Sequence, residues 1–241
     1  MAWWGDADSE RPTIVCLHEG LGSVAMWKDV PAAIAERTRC RVMAYSRFGH
    51  GASDPPAAAP TVEFMHNEAR LLPAILDAAG IERPVLLGHS DGASIALIFA
   101  ATHPARPHAL ILEAPHVFVE DMSVATIKRR AAEYETTDLR RRLAKYHRNV
   151  DLAFYGWSDV WLHPDFVAWN LEALLPRIVC PVLLIQGADD AYGTFRQLDA
   201  IAQQVAGPTA RLDLADCGHS PHRDQREAVL DAVAGFIDRW T

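Results

Sequence analysis

Short apolar runs recur along the chain at 13–17, 41–45, 84–87, 109–112, 182–185 and 210–214. Most are continuous rather than alternating, which is the pattern of strands covered on both faces of a parallel sheet. Longer amphipathic stretches separate them, at 29–38, 61–79, 91–102, 193–205 and 224–239, and their spacing predicts helices. Strand–helix–strand alternation predicts an α/β fold with a mostly parallel, doubly wound sheet. The tract Pro55-Pro56-Ala57-Ala58-Ala59-Pro60 reads as a surface loop, and no internal repeat is visible.

The alternation breaks once. Residues 120–176 hold no good strand but a charged helical stretch at 123–148, followed by Phe154, Tyr155, Trp157, Trp161, Phe166 and Trp169. This predicts a helical cap, 120–176, inserted into a single core built from 1–119 and 177–241. The aromatics need burial, and the ligand-facing edge of the core offers it. Trp157 and Trp161 are therefore candidate substrate-binding residues, with plain packing as the competing reading.

Composition narrows the function classes. Half of the 241 residues are hydrophobic, enough to bury a sizeable core without metal or disulfide staples. The net charge of −8 argues against nucleic acid as a partner, since phosphate binding needs a basic face. Cys16, Cys40, Cys180 and Cys217 match no metal or disulfide pattern and read as buried thiols. No signal peptide and no bilayer-spanning run is seen, so a soluble cytoplasmic protein without membrane partners is expected. No metal or other cofactor is expected either, because no His, Cys and carboxylate set has ligand spacing.

The chemistry concentrates in Pro84-Val85-Leu86-Leu87-Gly88-His89-Ser90-Asp91-Gly92. A serine between two glycines, where a strand becomes a helix, forms a strained turn that lifts the hydroxyl above the sheet edge. The helix N-terminus behind it favours negative charge. Serine alone is a poor nucleophile; it needs a base, a group orienting that base, and donors for an oxyanion. Beyond the strand at 182–185 lie Gly187-Ala188-Asp189-Asp190, and beyond 210–214 lie Asp216-Cys217-Gly218-His219-Ser220-Pro221-His222. Both follow strand carboxyl ends, where open α/β sheets place their sites. Oxyanion donors would come from the loop His18-Glu19-Gly20-Leu21-Gly22-Ser23 and from the N–H of Asp91.

These pieces, with Tyr45-Ser46-Arg47-Phe48-Gly49-His50-Gly51-Ala52-Ser53-Asp54 and Trp27, resemble the α/β-hydrolase superfamily in its capped, esterase-like branch. The resemblance runs from about Pro12 to the end. It implies an acyl hydrolase with Ser90 as nucleophile, His219 as base and Asp190 as acid, and a cap following the sixth strand of the family pattern. It also places the first oxyanion donor at Gly20, with Leu21 as the alternative. Two departures stand out. Glu19 interrupts the usual His-Gly pair and brings a carboxylate near a site that must stabilise negative charge. Members also carry a strand pair ahead of 13–17, and only the first eleven residues are available for it.

Several residues have competing readings. Asp189 and Glu113 are the alternative acids. His222 is the alternative base but reads more readily as a surface or capping residue. His89 is directed away from the nucleophile by the turn and is kept as a substrate-binding candidate. His18 is expected to hydrogen-bond loop backbone, Arg47 and His50 to brace the site, and Cys217 to be structural. The basic cluster of Lys128, Arg129, Arg130, Arg140, Arg141, Arg142, Lys145 and Arg148 reads as a solvated face or as a steering entrance for an anionic substrate. The expected partner is a small molecule with a carbonyl group; a homo-oligomer is left open. Ester hydrolysis is the leading function, with C–C bond, lactone or thioester cleavage by the same triad as alternatives. A low-turnover ligand-binding protein on the same fold is the reading from another class.

Overall fold

The computed structural model describes residues 1–240. The strands are β1 (Ala2–Trp4), β2 (Ile14–Leu17), β3 (Val42–Ala44), β4 (Val85–His89), β5 (Ala109–Glu113), β6 (Val182–Gly187) and β7 (Thr209–Leu214). They form one sheet in the order β1-β3-β2-β4-β5-β6-β7, parallel except for β1 against β3. The three-residue β1 pairs Ala2, Trp3 and Trp4 with Ala44, Met43 and Val42.

The sheet is covered on both sides, and its two side-chain faces separate cleanly. Val15, Leu17, Met43, Leu86, Leu110 and Leu184 join one core. Ile14, Cys16, Val42, Val85, Leu87 and Ile185 join the other. The first core packs under α2 (Phe64–Ala78), α3 (Asp91–Thr102) and α7 (Arg196–Gln204); the second packs under α1 (Val30–Thr38) and α9 (Arg226–Trp240). Edge strand β7 departs from the continuous-run pattern: it alternates as Ala210-Arg211-Leu212-Asp213-Leu214 and is exposed along most of its length. Helix α3 is apolar almost all round because it is buried on every side, residues 91–101 being inaccessible.

Residues between β5 and β6 form α4 (Asp121–Thr136), α5 (Leu139–Leu143), α6 (Val150–Trp161) and two short 3-10 turns. The charged stretch is two helices rather than one, since Thr137 takes an extended conformation and the second helix begins after Asp138. Asn149 caps α6 by accepting from the Leu152 N–H at 3.0 Å. The helix expected from residue 193 starts later, at Arg196. Glu120 takes the Thr194 N–H and hydroxyl, each at 2.8 Å, and so holds the preceding residues out of the helix. Before α9 the chain adds a short helix, α8 (Pro221–Asp224). Among the described residues no helix is long and apolar enough to cross a membrane. All four cysteines are free and buried.

Pairing of β2 with β4 (Leu17 opposite Gly88) decides where chemistry can collect. The chain leaves β2 toward β3 on one side and leaves β4 toward β5 on the other. A crevice opens at such a switch point, above the strand carboxyl ends.

Candidate active site

Ser90 occupies the turn between β4 and α3 with φ 54° and ψ −120°, a sparsely populated conformation for a residue with a Cβ. Strain of this kind costs of order 1–3 kcal/mol and persists only where the surroundings enforce it. Here the enforcement is steric. A Cβ on Gly92 would collide with the Leu17 carbonyl, and one on Gly88 with the backbone of Gly92 and Ala93. Both glycines therefore let strand and helix approach closely enough to force the serine outward.

The Ser90 Oγ lies 3.0 Å from Nε2 of His219. On the other side of that ring, Nδ1 is 2.9 Å from both carboxylate oxygens of Asp190. Asp190 is itself fixed: Oδ1 accepts from the Tyr192 N–H at 2.8 Å and Oδ2 from the Gln186 amide at 3.2 Å. Burial pushes its carboxyl up, but the charge and hydrogen bond of His219 hold it below the usual aspartate range. Asp190 is thus the anion that an imidazolium at residue 219 would need. The loops bearing the two residues touch, and a Cβ on Gly187 would collide with the Cys217 carbonyl. Asp189 is exposed and Glu113 is engaged elsewhere, so Asp190 is the carboxylate brought to His219.

The loop after β2 is locked through its carbonyls. His18 Nδ1 donates to the Glu19 carbonyl at 2.7 Å, and the Arg47 guanidinium donates to the same oxygen at 2.8 Å. His50 Nε2 lies 2.9 Å from the Gly20 carbonyl and its Nδ1 3.0 Å from that of Phe48, and His147 donates from Nε2 to the Leu21 carbonyl at 2.9 Å. Across a trans peptide the N–H points opposite the C=O. The partners of the Glu19 and Gly20 carbonyls thus turn the Gly20 and Leu21 N–H groups to the other side of the loop. Both rings nearest the donors are kept neutral: burial, then the Arg47 charge, lower His18 well below its ordinary value and His50 to about 3. The N–H of Asp91, at the first position of α3, has no helical acceptor.

A cavity of about 510 Å³ opens over Ser90, lined by Gly20, Leu21, Asp91, Trp157, Trp161 and His219 among others.

A model of the Alpha/beta hydrolase family matches residues 14–232. The chain belongs to that family. The hydrolase is 27% identical, over 97% of its own length and 93% of the relative's, to a "Putative carbamate hydrolase RutD" of Caulobacter sp. (strain K31). It superimposes with a TM-score of 0.82 on the 2-hydroxy-6-oxo-6-phenylhexa-2,4-dienoate hydrolase from Rhodococcus sp. strain RHA1, at 16% identity over 97% and 92% of the two chains. An enol-lactonase from Burkholderia xenovorans LB400 gives a TM-score of 0.76 at 21% identity, over 98% and 95%. These two likenesses establish the α/β-hydrolase fold with its mostly parallel seven-stranded sheet.

Three further residues have defined partners in the hydrolase, and one of them, His222, departs from its sequence reading. His89 lines the cavity wall but is buried, and its Nε2 donates to the His219 carbonyl at 2.6 Å. It supports the loop of residue 219 instead of offering a free ring to substrate. His222 is neither a surface nor a capping residue: it is 3% exposed, and its Nδ1 lies 2.6 Å from Glu113, which has no exposure at all. Glu19 is turned inward, 3.7 Å from His89 Nδ1. Burial opposes the charge on both groups, yet each favours the charged form of the other: Glu19 is lowered and His89 raised. The carboxylate beside the loop after β2 thus faces a basic partner. His147 and His116 carried no sequence signal. The first clamps the loop from 126 residues away. The second lies 5.9 Å from the His219 ring, and burial together with the His219 charge lowers it to about 4.

The basic cluster is largely paired. Arg129 and Arg130 meet Glu133, Arg140 meets Asp151, Arg141 and Arg142 meet Asp138, and Arg148 meets Asp54. Exposed pairs of this kind contribute little stability. Arg130 and Arg142, with Arg223, also line the cavity over Ser90. Cys217 is buried, and burial with Asp224 pushes its thiol up to about 11, which removes it as a nucleophile near neutrality.

Asp91 has a consequence for stability. It is 1% exposed; Oδ1 accepts from the Trp161 indole at 3.2 Å, while Oδ2 has no partner. Burial, against the pull of Arg47, pushes its carboxyl to about 6. The folded state then binds the proton more tightly than the unfolded state, so stability falls as pH rises from the ordinary aspartate value through about 6. A rise of this size corresponds to about 3 kcal/mol. Asp91→Asn keeps an acceptor for Trp161 and removes the buried charge. Urea unfolding at pH 8 is expected to show it more stable than wild type by about 1–3 kcal/mol, with the gap closing at pH 4.5. An unchanged gap at the two pH values would show that residue 91 does not titrate differently on folding.

Proposed function

We propose that the protein is a serine hydrolase of carboxylic esters that works through an acyl-enzyme. His219 Nε2 takes the Ser90 proton as Oγ attacks the carbonyl carbon; Asp190 holds the ring by its Nδ1–H and stabilises the charged imidazolium. The N–H groups of Gly20 (or Leu21) and Asp91 receive the oxyanion. The protonated His219 gives its proton to the departing alcohol. Water, with its proton taken by the same nitrogen, then attacks the Ser90 ester and releases the acid. Residues 120–176 serve as the cap over this site.

The observation that carries the reading is the unbroken chain Ser90 Oγ, His219, Asp190 at 3.0 and 2.9 Å. It lies at the strained turn and beside a donor loop whose carbonyls are all tied back. Thioesters, lactones, carbamates and vinylogous diketones share the acyl-transfer step and belong in the same substrate panel.

A fluorophosphonate probe tests the reading directly. The protein is expected to be labelled on Ser90 alone, with labelling abolished by prior heat unfolding and with p-nitrophenyl acetate slowing the reaction competitively. Absence of labelling, or labelling that survives unfolding, would assign the fold to ligand binding instead.

A further inference from the structure

The cavity over Ser90 has a neighbour. A second space of about 410 Å³, within the range of small-ligand pockets, adjoins it, and the two share Gly20, Asp91 and Trp157. Its other walls are mainly apolar, including Phe64, Leu71 and Leu152, together with the loop at 56–60. That loop is proline and alanine throughout, so its short side chains leave the space open. Trp157 stands at the boundary: it is seated on Gly20 so closely that a Cβ there would collide with the indole.

The shared residues are the ones proposed to bind the oxyanion. A carbonyl held by the Gly20 and Asp91 N–H groups would stand where the two spaces meet. The junction also carries a buried acceptor without a partner, Asp91 Oδ2.

We propose that the second space is a substrate subsite, which binds an unbranched apolar chain on one side of the scissile carbonyl, with Trp157 as the wall that chain must pass. The proposal rests on the reading of Ser90 as nucleophile for its meaning but not for its test. Each methylene placed there leaves water for an apolar wall, so affinity should grow with chain length until the space is filled. Both the acyl chain and the alcohol chain of an ester have this chemistry.

Gly156 allows the subsite to be filled selectively. It lines the second space and not the cavity over Ser90. A Cβ there would meet Pro60 Cγ at 3.3 Å, so a longer side chain projects toward the loop. Gly156 lies inside α6, where leucine is a better helix former than glycine, so Gly156→Leu is expected to fold.

Binding of 1-octanol and of octanoate is measured by titration calorimetry on Ser90→Ala, which needs no turnover, and again with Gly156→Leu added. At least one probe is expected to lose about tenfold or more in affinity on filling the space. Loss for octanol assigns the alcohol side, and loss for octanoate the acyl side. If neither probe binds, or both bind equally well to the filled variant, the subsite does not exist. Trp157→Ala is the second arm: the kcat/KM ratio of p-nitrophenyl octanoate to acetate, or of octyl to ethyl acetate, should rise by about tenfold or more. An unchanged ratio in both series removes Trp157 as the dividing wall. Should the probes bind as expected while no ester is turned over and Ser90 stays unlabelled, the chemistry fails and the binding site stands.

Discussion

Ser90→Ala is expected to lower kcat on p-nitrophenyl acetate by on the order of 10⁵- to 10⁶-fold, while circular dichroism and the urea midpoint stay close to wild type. The size follows from how tightly the groups are coupled. On the proposed mechanism His219 and Asp190 act only through the hydroxyl 3.0 Å from Nε2, so removing it would silence all three together. What remains is binding and oxyanion stabilisation, which in such sites leave about 10³–10⁴ over the uncatalysed rate. Folding should be spared, because alanine meets the same φ of 54° that serine does and the only side-chain bond lost is the one to His219. Asp190→Asn should approach the same loss while leaving Ser90 in place, since an amide can favour the wrong tautomer of the ring. Ser90→Ala turnover within about tenfold of wild type would mean that another group attacks the carbonyl.

The largest effect on stability is expected below the site, at Glu113 and His222. Both are inaccessible, and Glu113 Oε2 takes His222 Nδ1 at 2.6 Å and its backbone N–H at 3.3 Å. Glu113→Leu leaves a buried imidazole without its partner and should cost about 3–5 kcal/mol, read from urea unfolding at pH 7. Glu113→Leu with His222→Leu removes both polar groups and should recover most of that loss, because an apolar replacement avoids the cost of burying charge. Burial opposes the Glu113 carboxylate, but His222 lowers its value below the ordinary glutamate range. The sign is therefore that of a depressed acid. Its stabilisation is fully present above the unfolded value near 4.5 and is lost as pH falls through the lower folded value. Wild type should lose stability on acidification through that window more steeply than the double variant. A double variant as unstable as Glu113→Leu alone would show that packing, and not pairing, is what residue 113 provides. The consequences should reach turnover as well. The His222 ring stands 5.0 Å from that of His89, which holds the His219 carbonyl.

Much of the fold was legible because its signals are local. Apolar runs, continuous except in β7, located six of the seven strands, and the glycines flanking Ser90 announced a close strand–helix approach that two carbonyl collisions now explain. The missing strand, β1, was too short for periodicity to register. Ser90, His219 and the loop of Asp190 could be gathered from sequence because a parallel sheet collects strand carboxyl ends at one edge. The choice of Asp190 over Asp189 rested on the family resemblance, since locally it depends on which carboxylate is buried against Tyr192 and Gln186. The pairing of Glu113 with His222 spans 109 residues, and the clamp of His147 on Leu21 spans 126, so no local pattern connects them. Glu19 looked like a threat to the oxyanion until His89 appeared beside it.

Trp157 and Trp161 stand four residues apart on α6, one against Gly20 and the other bonded to Asp91. They lie one above the other on a single helical face and cannot be displaced separately by a rigid shift of that helix. A tilt of α6 would lift both indoles from the turn at Ser90 in one stroke. On the proposed mechanism, wetting of an acylated serine and escape of the alcohol would then depend on one motion.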